Sequence, residues 1–320
     1  NSAVAAGAAT SVGAASAATT AAIVFGNTTT TGGTLVYLGA GETSDRALTS
    51  LSTTGSITID SSGTGPLVLN GTFTNNNAAA AAKTLSLNGF YAGVNILAST
   101  LTNNTGAGGG ALAITKNGGG FWVLTGNNSS VSGTVTLSGG VLGAGSNTAL
   151  GTGGIAWNNG MLMAYGADRT LANAVTLNAN NTWGAVGNYS LTFSALVNWG
   201  SGTTSYSNNF YNNLTGGKVL TFAAGFNSSF GAVSGNVITF IGPGSTVITG
   251  PVTQTATSAY TNGITYAGTP GGSFTFNGSG ANTMVGAFTQ TSGSGNIARV
   301  GAFRSEEHTS ELQSPCNLVC

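Results

Sequence analysis

Short runs in which apolar and polar residues alternate recur along most of the chain: Thr34–Tyr37, Ile57–Ile59, Leu67–Leu69, Leu85–Leu87, Leu112–Ile114, Val135–Leu137, Ile155–Trp157, Val175–Leu177, Leu191–Phe193, Val237–Phe240 and Phe274–Phe276. Each has the period of two that puts apolar side chains on one face of a β-strand, and Gly, Asn and Ser bound it on both sides. No segment carries the 3.6-residue stripe of a core helix. Val135, Ile155 and Val175 stand 20 residues apart, a step in the range of stacked repeat units. Ordering a backbone costs about 1–2 kcal/mol per residue, and a strand of three to five residues cannot offset that alone. Stacking resolves the deficit, because strands piled in register share one apolar interior and hydrogen-bond to the rungs above and below. The pattern therefore predicts an all-β fold, a parallel β-helix (β-solenoid) with irregular rungs of about 20 residues.

Turn chemistry fits that reading. The pairs Asn103-Asn104, Asn127-Asn128, Asn158-Asn159, Asn180-Asn181, Asn208-Asn209 and Asn212-Asn213 fall between strand segments, where a solenoid turns its corners. An antiparallel sandwich is the alternative, and it predicts two-residue Asn-Gly hairpins. Asn88-Gly89, Asn117-Gly118 and Asn262-Gly263 exist, but most connections are longer.

Composition narrows the function. Charged residues make up 4% of the 320, against about a quarter in an ordinary soluble domain, and the net charge is zero. Ser, Thr and Asn supply polarity without titrating. With no basic patch, nucleic acid is not an expected partner. The apolar run from Ala3 to Phe25 is broken by Gly7, Ser11, Gly13, Ser16, Thr19 and Thr20 and has no leading basic residue, so it reads neither as a membrane span nor as a signal peptide. The chain begins at Asn1 rather than Met and is expected to be a fragment.

Residues 304–320, RSEEHTSELQSPCNLVC, differ abruptly from what precedes them and hold His308, Cys316 and Cys320. The run Arg304 to Ser314 resembles the in-frame translation of a sequencing-library adapter, which makes 304–320 an expected artefactual tail and 1–303 a single solenoid fragment. A short amphipathic helix ending at Pro315 is the other reading. The spacing of His308, Cys316 and Cys320 matches no paired zinc pattern, so no metal site is expected. Before residue 304 there are six bases and four acids and no His, which excludes a histidine-based triad.

The remaining chemistry is sparse. Glu42, Asp45 and Arg46 read as a solvated turn, Asp168-Arg169 as a surface turn, and Lys116 as a side chain reaching over a rung edge to water. The glycine runs 108–110 and 118–120 lack the Lys-Ser/Thr pair of a phosphate loop, and the turns lack the recurring Asp of calcium-binding repeats. No catalytic residue, cofactor or metal is expected. Trp122, Trp157, Trp183 and Trp199, with Phe121, Tyr206, Phe210 and Tyr211, are candidates for stacking on sugar rings if they line an outer face; core and corner packing is the alternative.

The stretch from Gly110 to Leu162, GALAITKNGGGFWVLTGNNSSVSGTVTLSGGVLGAGSNTALGTGGIAWNNGML, resembles the autotransporter-associated β-strand repeat of Gram-negative surface proteins. Leu112, Ile114, Lys116, Gly118, Gly120, Leu124-Thr125-Gly126, Gly133, Val135, Leu137, Gly140-Val141-Leu142, Leu150-Gly151 and Gly160-Met161-Leu162 carry the match. Val131 departs from it, standing where the family has an aromatic residue. Gly33 to Thr74 is similar to the region that precedes such repeats. The resemblance implies a right-handed β-helix, displayed at or secreted from the outer membrane as a stalk or adhesin, with host or environmental glycans or surface proteins as partners. Its membrane contact would run through a C-terminal anchor or barrel that this sequence does not contain.

Overall fold

The computed structural model describes residues 22–26, 30–75, 81–106, 109–178, 182–200, 207–228, 235–254, 262–278, 282–284 and 286–297. Among them there are strands and turns and no helix. Each segment named from the alternation pattern lies within a strand. The tail 304–320, Asn180-Asn181 and Tyr206 lie outside the described residues. The chain forms two compact units, Asn1–Asn173 and Ala174–Cys320.

In the first unit successive strands are dealt in turn to separate walls. Gly33–Tyr37, Ile57–Ser61, Lys83–Asn88, Leu112–Lys116, Val135–Leu137 and Ile155–Trp157 stack as the first wall. Ala40–Ser44, Gly65–Leu69, Val94–Leu97, Phe121–Leu124, Val141–Ala144 and Gly160–Ala164 stack as the second. Ile23–Phe25, Leu48–Ser50 and Phe73–Asn75 form a third, shorter wall. Each of these pairs is parallel, as a stacked solenoid requires. The 20-residue step read from Val135 to Ile155 holds, with Val135 under Ile155, and the step before it, from Ile114 to Val135, is 21. Earlier rungs are longer, with steps of 24 from Gly33 to Ile57 and 29 from Leu85 to Ile114.

The second unit repeats the plan. Val175–Leu177, Val197–Trp199, Phe226–Ser228 and Val252–Gln254 stack in one wall, and Thr182–Gly187, Ser207–Leu214, Val237–Gly242, Gly263–Gly268 and Phe288–Ser292 in another. Leu191–Phe193, Val219–Phe222, Ser245–Ile248, Ser273–Phe276 and Ser294–Ile297 complete each turn. All of these pairs are parallel too. No hairpin forms at the Asn-Gly pairs: Asn88-Gly89 and Asn117-Gly118 turn from first wall to second, and Asn262-Gly263 leads into a strand.

The two interiors differ. In the first unit, Ile57, Ile59, Leu85, Leu87, Leu112, Ile114, Val135 and Leu137 have essentially no exposed surface. Burying each such side chain contributes about 1.5–3 kcal/mol, enough to offset the ordering of a residue or two of backbone. In the second unit aromatic rings run from rung to rung. Phe193 stacks on Phe222 at 5.8 Å, Phe210 meets Phe240 at 5.3 Å, and Phe240 meets Phe274 at 5.0 Å. Such separations lie in the favourable range for ring pairs.

Between Leu97 and Leu112, and again between Leu124 and Val135 and between Ala144 and Ile155, the described residues of the first unit form no third-wall strand. Buried asparagines hold the rungs together instead. Asn128 accepts from the Leu101 amide at 2.7 Å in the rung below and donates to the Ala149 carbonyl at 2.6 Å in the rung above. Asn173 donates to the carbonyls of Gly151 at 3.1 Å and Gly153 at 2.6 Å. Asn95, within the second wall, accepts from the Leu67 amide at 2.8 Å and donates to the Phe121 carbonyl at 3.0 Å. Val131, the departure from the repeat pattern, is fully buried in the turn it closes, where its amide donates to the Asn128 carbonyl at 2.8 Å. Asn208-Asn209 and Asn212-Asn213 differ from expectation. They lie inside the strand Ser207–Leu214, with Asn212 buried and donating to the Ser245 carbonyl at 3.0 Å, because an inward amide finds its partners in the next rung.

Lys116 also departs from expectation. It does not reach water: it is fully buried, and its ammonium donates to the carbonyls of Asn117 at 2.6 Å, Gly118 at 3.0 Å and Gly139 at 3.2 Å. Gly118 turns this corner with φ of +68°, a conformation that favours glycine. Burial lowers the Lys116 ammonium to about 8 and lowers that of Lys83 as well.

Leu137→Asp places a charge in an interior column with no partner, so chemical denaturation should show a loss of more than about 4 kcal/mol or failure to fold. Asn128→Ala leaves the Leu101 amide and the Ala149 carbonyl buried without it, a cost of about 2–4 kcal/mol in the same measurement. Because the folded-state value of Lys116 lies below the unfolded one of about 10.4, the unfolded chain holds more protons between them. The stability contributed by this group therefore rises with pH from about 8 toward 10. The denaturation midpoint should climb over that window, and Lys116→Met should flatten the climb, leaving the part that belongs to Lys83.

Candidate functional site

The strands that carry ionisable groups send them in different directions. Glu42 lies in the middle of Ala40–Ser44 and faces inward, only 4% exposed, so it is not part of a solvated turn. The alternation of the strand places Glu42 and Ser44 on the core side. Only Asp45 and Arg46 follow in a connecting loop. Tyr37 sits nearby, its hydroxyl accepting from the Gly41 amide at 2.7 Å. Burial, with a smaller contribution from Glu42, raises the Tyr37 phenol above its ordinary value.

Asp60 points outward from the first wall and accepts from the Ser62 hydroxyl at 2.5 Å. Asp168 is exposed in the turn before Arg169–Leu171, and Arg169 donates to the Tyr165 carbonyl at 2.8 Å, so this pair is the surface turn that was expected. Glu42 and Asp60 face opposite sides of their walls and do not converge, whereas acid–base hydrolysis needs two carboxyl groups flanking one bond. The amine of Lys83 donates to the buried Ser50 hydroxyl at 2.8 Å, and that of Lys116 is engaged by three carbonyls. Among the described residues no group of three or more His, Cys, Asp or Glu side chains is placed to hold a metal ion. His308, Cys316 and Cys320 lie outside the described residues.

The tryptophans are placed inside. Trp122, Trp157, Trp183 and Trp199 each have no exposed surface. The Trp122 indole donates to the Asn88 carbonyl at 2.8 Å, the Trp157 indole donates to the Gly160 carbonyl at 3.0 Å, and Trp199 packs on Phe226 at 6.4 Å. Stacking on a sugar requires an open ring face, so these four residues do not form a glycan platform; their area and ring geometry serve the core. Phe210 is buried with them, and Tyr211 faces outward half-buried. Among the described residues the aromatic ring most open to solvent is Phe90, 76% exposed at a corner between first and second walls. Sequence reasoning passed over it. The signal was available in Asn88-Gly89-Phe90, where a ring follows a corner pair rather than lying in an alternating strand.

A recess of about 270 Å³ opens in the second unit, lined by Thr215, Lys218, Pro243, Ser245 and Pro270 among others. It is smaller than the usual range for ligand pockets, and Lys218 is its one ionisable lining residue. Among the described residues no helix is long and apolar enough to cross a membrane.

With the fold in view, comparison with known proteins gives one informative likeness. No family model matches the chain, and no solved structure matches it. Over 146 residues, 42% of its length, it is 36% identical to the adhesin BmaC autotransporter of Brucella suis biovar 1 (strain 1330). The chain spans 4% of the length of that protein.

Proposed function

We propose that this solenoid is a non-enzymatic passenger segment displayed at the bacterial surface, serving as a stalk or an adhesin. The observation that carries the reading is the stretch 36% identical to an autotransporter adhesin, in a chain whose described residues stack as parallel rungs. The placement of the ionisable groups supports the non-enzymatic part: Glu42 faces a core, Asp60 faces solvent, and the two buried lysines donate to hydroxyl and carbonyl oxygens. Near-zero charge also suits a stalk, since long-range steering of charged substrates needs a field this surface does not generate. Glycans or surface proteins of a host are the partners an adhesin of this kind would meet, held through outer faces rather than through the buried tryptophans.

Display of the chain on a heterologous autotransporter barrel should raise bacterial adherence to epithelial cells or matrix-coated wells several-fold over the barrel alone. Equal adherence would remove the adhesin reading and leave the stalk. Release of new reducing or unsaturated ends from a polysaccharide panel would overturn the non-enzymatic reading altogether.

A further inference from the structure

Asn-Gly pairs recur along the chain, and the structure holds two of them in opposite ways. Asn262-Gly263 is locked inside the second unit. Asn262 has no exposed surface, its Oδ1 accepts from the Asn236 side-chain amide at 2.8 Å, and its Nδ2 donates to the Ser228 hydroxyl at 3.0 Å. The Gly263 amide is engaged as well, donating to the Asn236 carbonyl at 2.8 Å. Asn159-Gly160 stands instead at the corner between Ile155–Trp157 and Gly160–Ala164, with the Asn159 side chain exposed. Here the Gly160 amide donates to Oδ1 of Asn159, the residue just before it, at 2.8 Å. Cγ is bonded to Oδ1 at about 1.23 Å, so the amide nitrogen stands no more than about 4 Å from Cγ. Reacting atoms about 3–3.5 Å apart make a near-attack arrangement, and turning the side chain covers the difference.

The corner fixes that arrangement from both sides. The Asn159 amide donates to the Leu137 carbonyl at 3.0 Å, the Gly160 carbonyl accepts from the Trp157 indole at 3.0 Å, and the Met161 amide donates to the Gly140 carbonyl at 2.8 Å. The glycine itself is required, since its φ is +90° and a Cβ would lie 2.7 Å from the Gly140 carbonyl oxygen. The one residue this corner accepts is therefore the one that least hinders attack by its own nitrogen.

We propose that Asn159-Gly160 is a self-modifying site, at which the asparagine converts in water, without an enzyme, to aspartate and isoaspartate. The Gly160 amide gives its proton to hydroxide, and its nitrogen attacks Cγ of Asn159. The N–Cγ bond forms, the Cγ–Nδ2 bond breaks, and Nδ2 leaves as ammonia with a proton from water. The succinimide left behind is opened by water, at Cγ to aspartate or at the main-chain carbonyl to isoaspartate. Either product sets a carboxylate on the corner beside Gly139, whose carbonyl takes the Lys116 ammonium. Isoaspartate also lengthens the main chain by a methylene between two bonds to the rung below, those to Leu137 and Gly140. The modified corner thus gains a charge and loses its register.

The purified chain, held at mildly alkaline pH in heavy-oxygen water and then mapped peptide by peptide by mass spectrometry, provides the test. Position 159 should take up label at least about tenfold faster than position 262 in the folded chain. In guanidinium both pairs lose their surroundings, so the two rates should converge, with position 159 no faster than when folded. Asn159→Gln, which would have to close a larger ring, should lose the signal at this position and leave position 262 unchanged. Equal rates at the two positions in the folded chain, or faster labelling of position 159 in guanidinium than in the folded chain, would overturn the proposal. Both comparisons use the unaltered sequence and hold whether or not the variant folds.

Discussion

The parallel ladder between successive rungs is the constraint on which the rest of this structure depends. Once Ile57 sits beneath Leu85 and Leu85 beneath Ile114, every side chain has a neighbour of matching position about 4.8 Å above and below it. Columns, rather than local sequence neighbours, become the units of packing. This explains the composition better than any appeal to solubility. A charged column would set like charges within about 5 Å of each other in every rung, each pair costing about 1 kcal/mol even in water and more near a protein surface. Thr, Ser and Asn columns carry no such penalty. Where a charge does occur outward, as at Asp60, its neighbours in the column are Val36 and Asn88, which carry none.

The same rule decides how buried polar groups survive. An inward asparagine in a single strand would be left without partners, but in a stack it lies between a free amide or carbonyl below and another above. Asn128 spans Leu101 and Ala149 in this way, and Asn212 reaches the rung carrying Ser245. The rungs from Ile114 to Val135 and from Val135 to Ile155, which have no third strand, take 21 and 20 residues. The third-side strands from Leu191 to Leu220 to Thr246 stack at steps of 29 and 26 residues.

Sequence alone was enough to locate strands that alternate, because alternation registers one buried and one wetted face. It was not enough for Ala40–Ser44, where the inward residue is Glu42, or for Ser207–Leu214, where asparagines usual at turns fill a strand. For Asn212 the partners that make a polar inward residue tolerable, the Ser245 carbonyl and the Thr246 hydroxyl, belong to another rung, and a linear reading does not contain them. Lys116 failed for the same reason: its most distant acceptor, the Gly139 carbonyl, is 23 residues away. For the candidate site, the scarcity of titrating groups was legible from composition. The placement of the four tryptophans was not, since a large ring in an alternating strand reads equally as core or as surface until it is known which side the rung closes on.

A solenoid whose interior is set by columns leaves each outer wall to vary on its own. Changing Thr115 or Thr136 on the first wall touches no core residue directly, and the same holds for Ile96 or Met163 on the second, since successive residues in a strand face opposite sides. Stability and recognition are thereby assigned to alternate positions of the same strand. An enzyme cleft requires groups from several elements to converge, which a straight ladder of short strands does poorly. A binding face requires only that one kind of outward residue recur at each rung, which the ladder does by construction. The outward positions of the first wall, Thr115 and Thr136 among them, and of the second, Ile96 and Met163 among them, differ in chemistry only through which residues fill them.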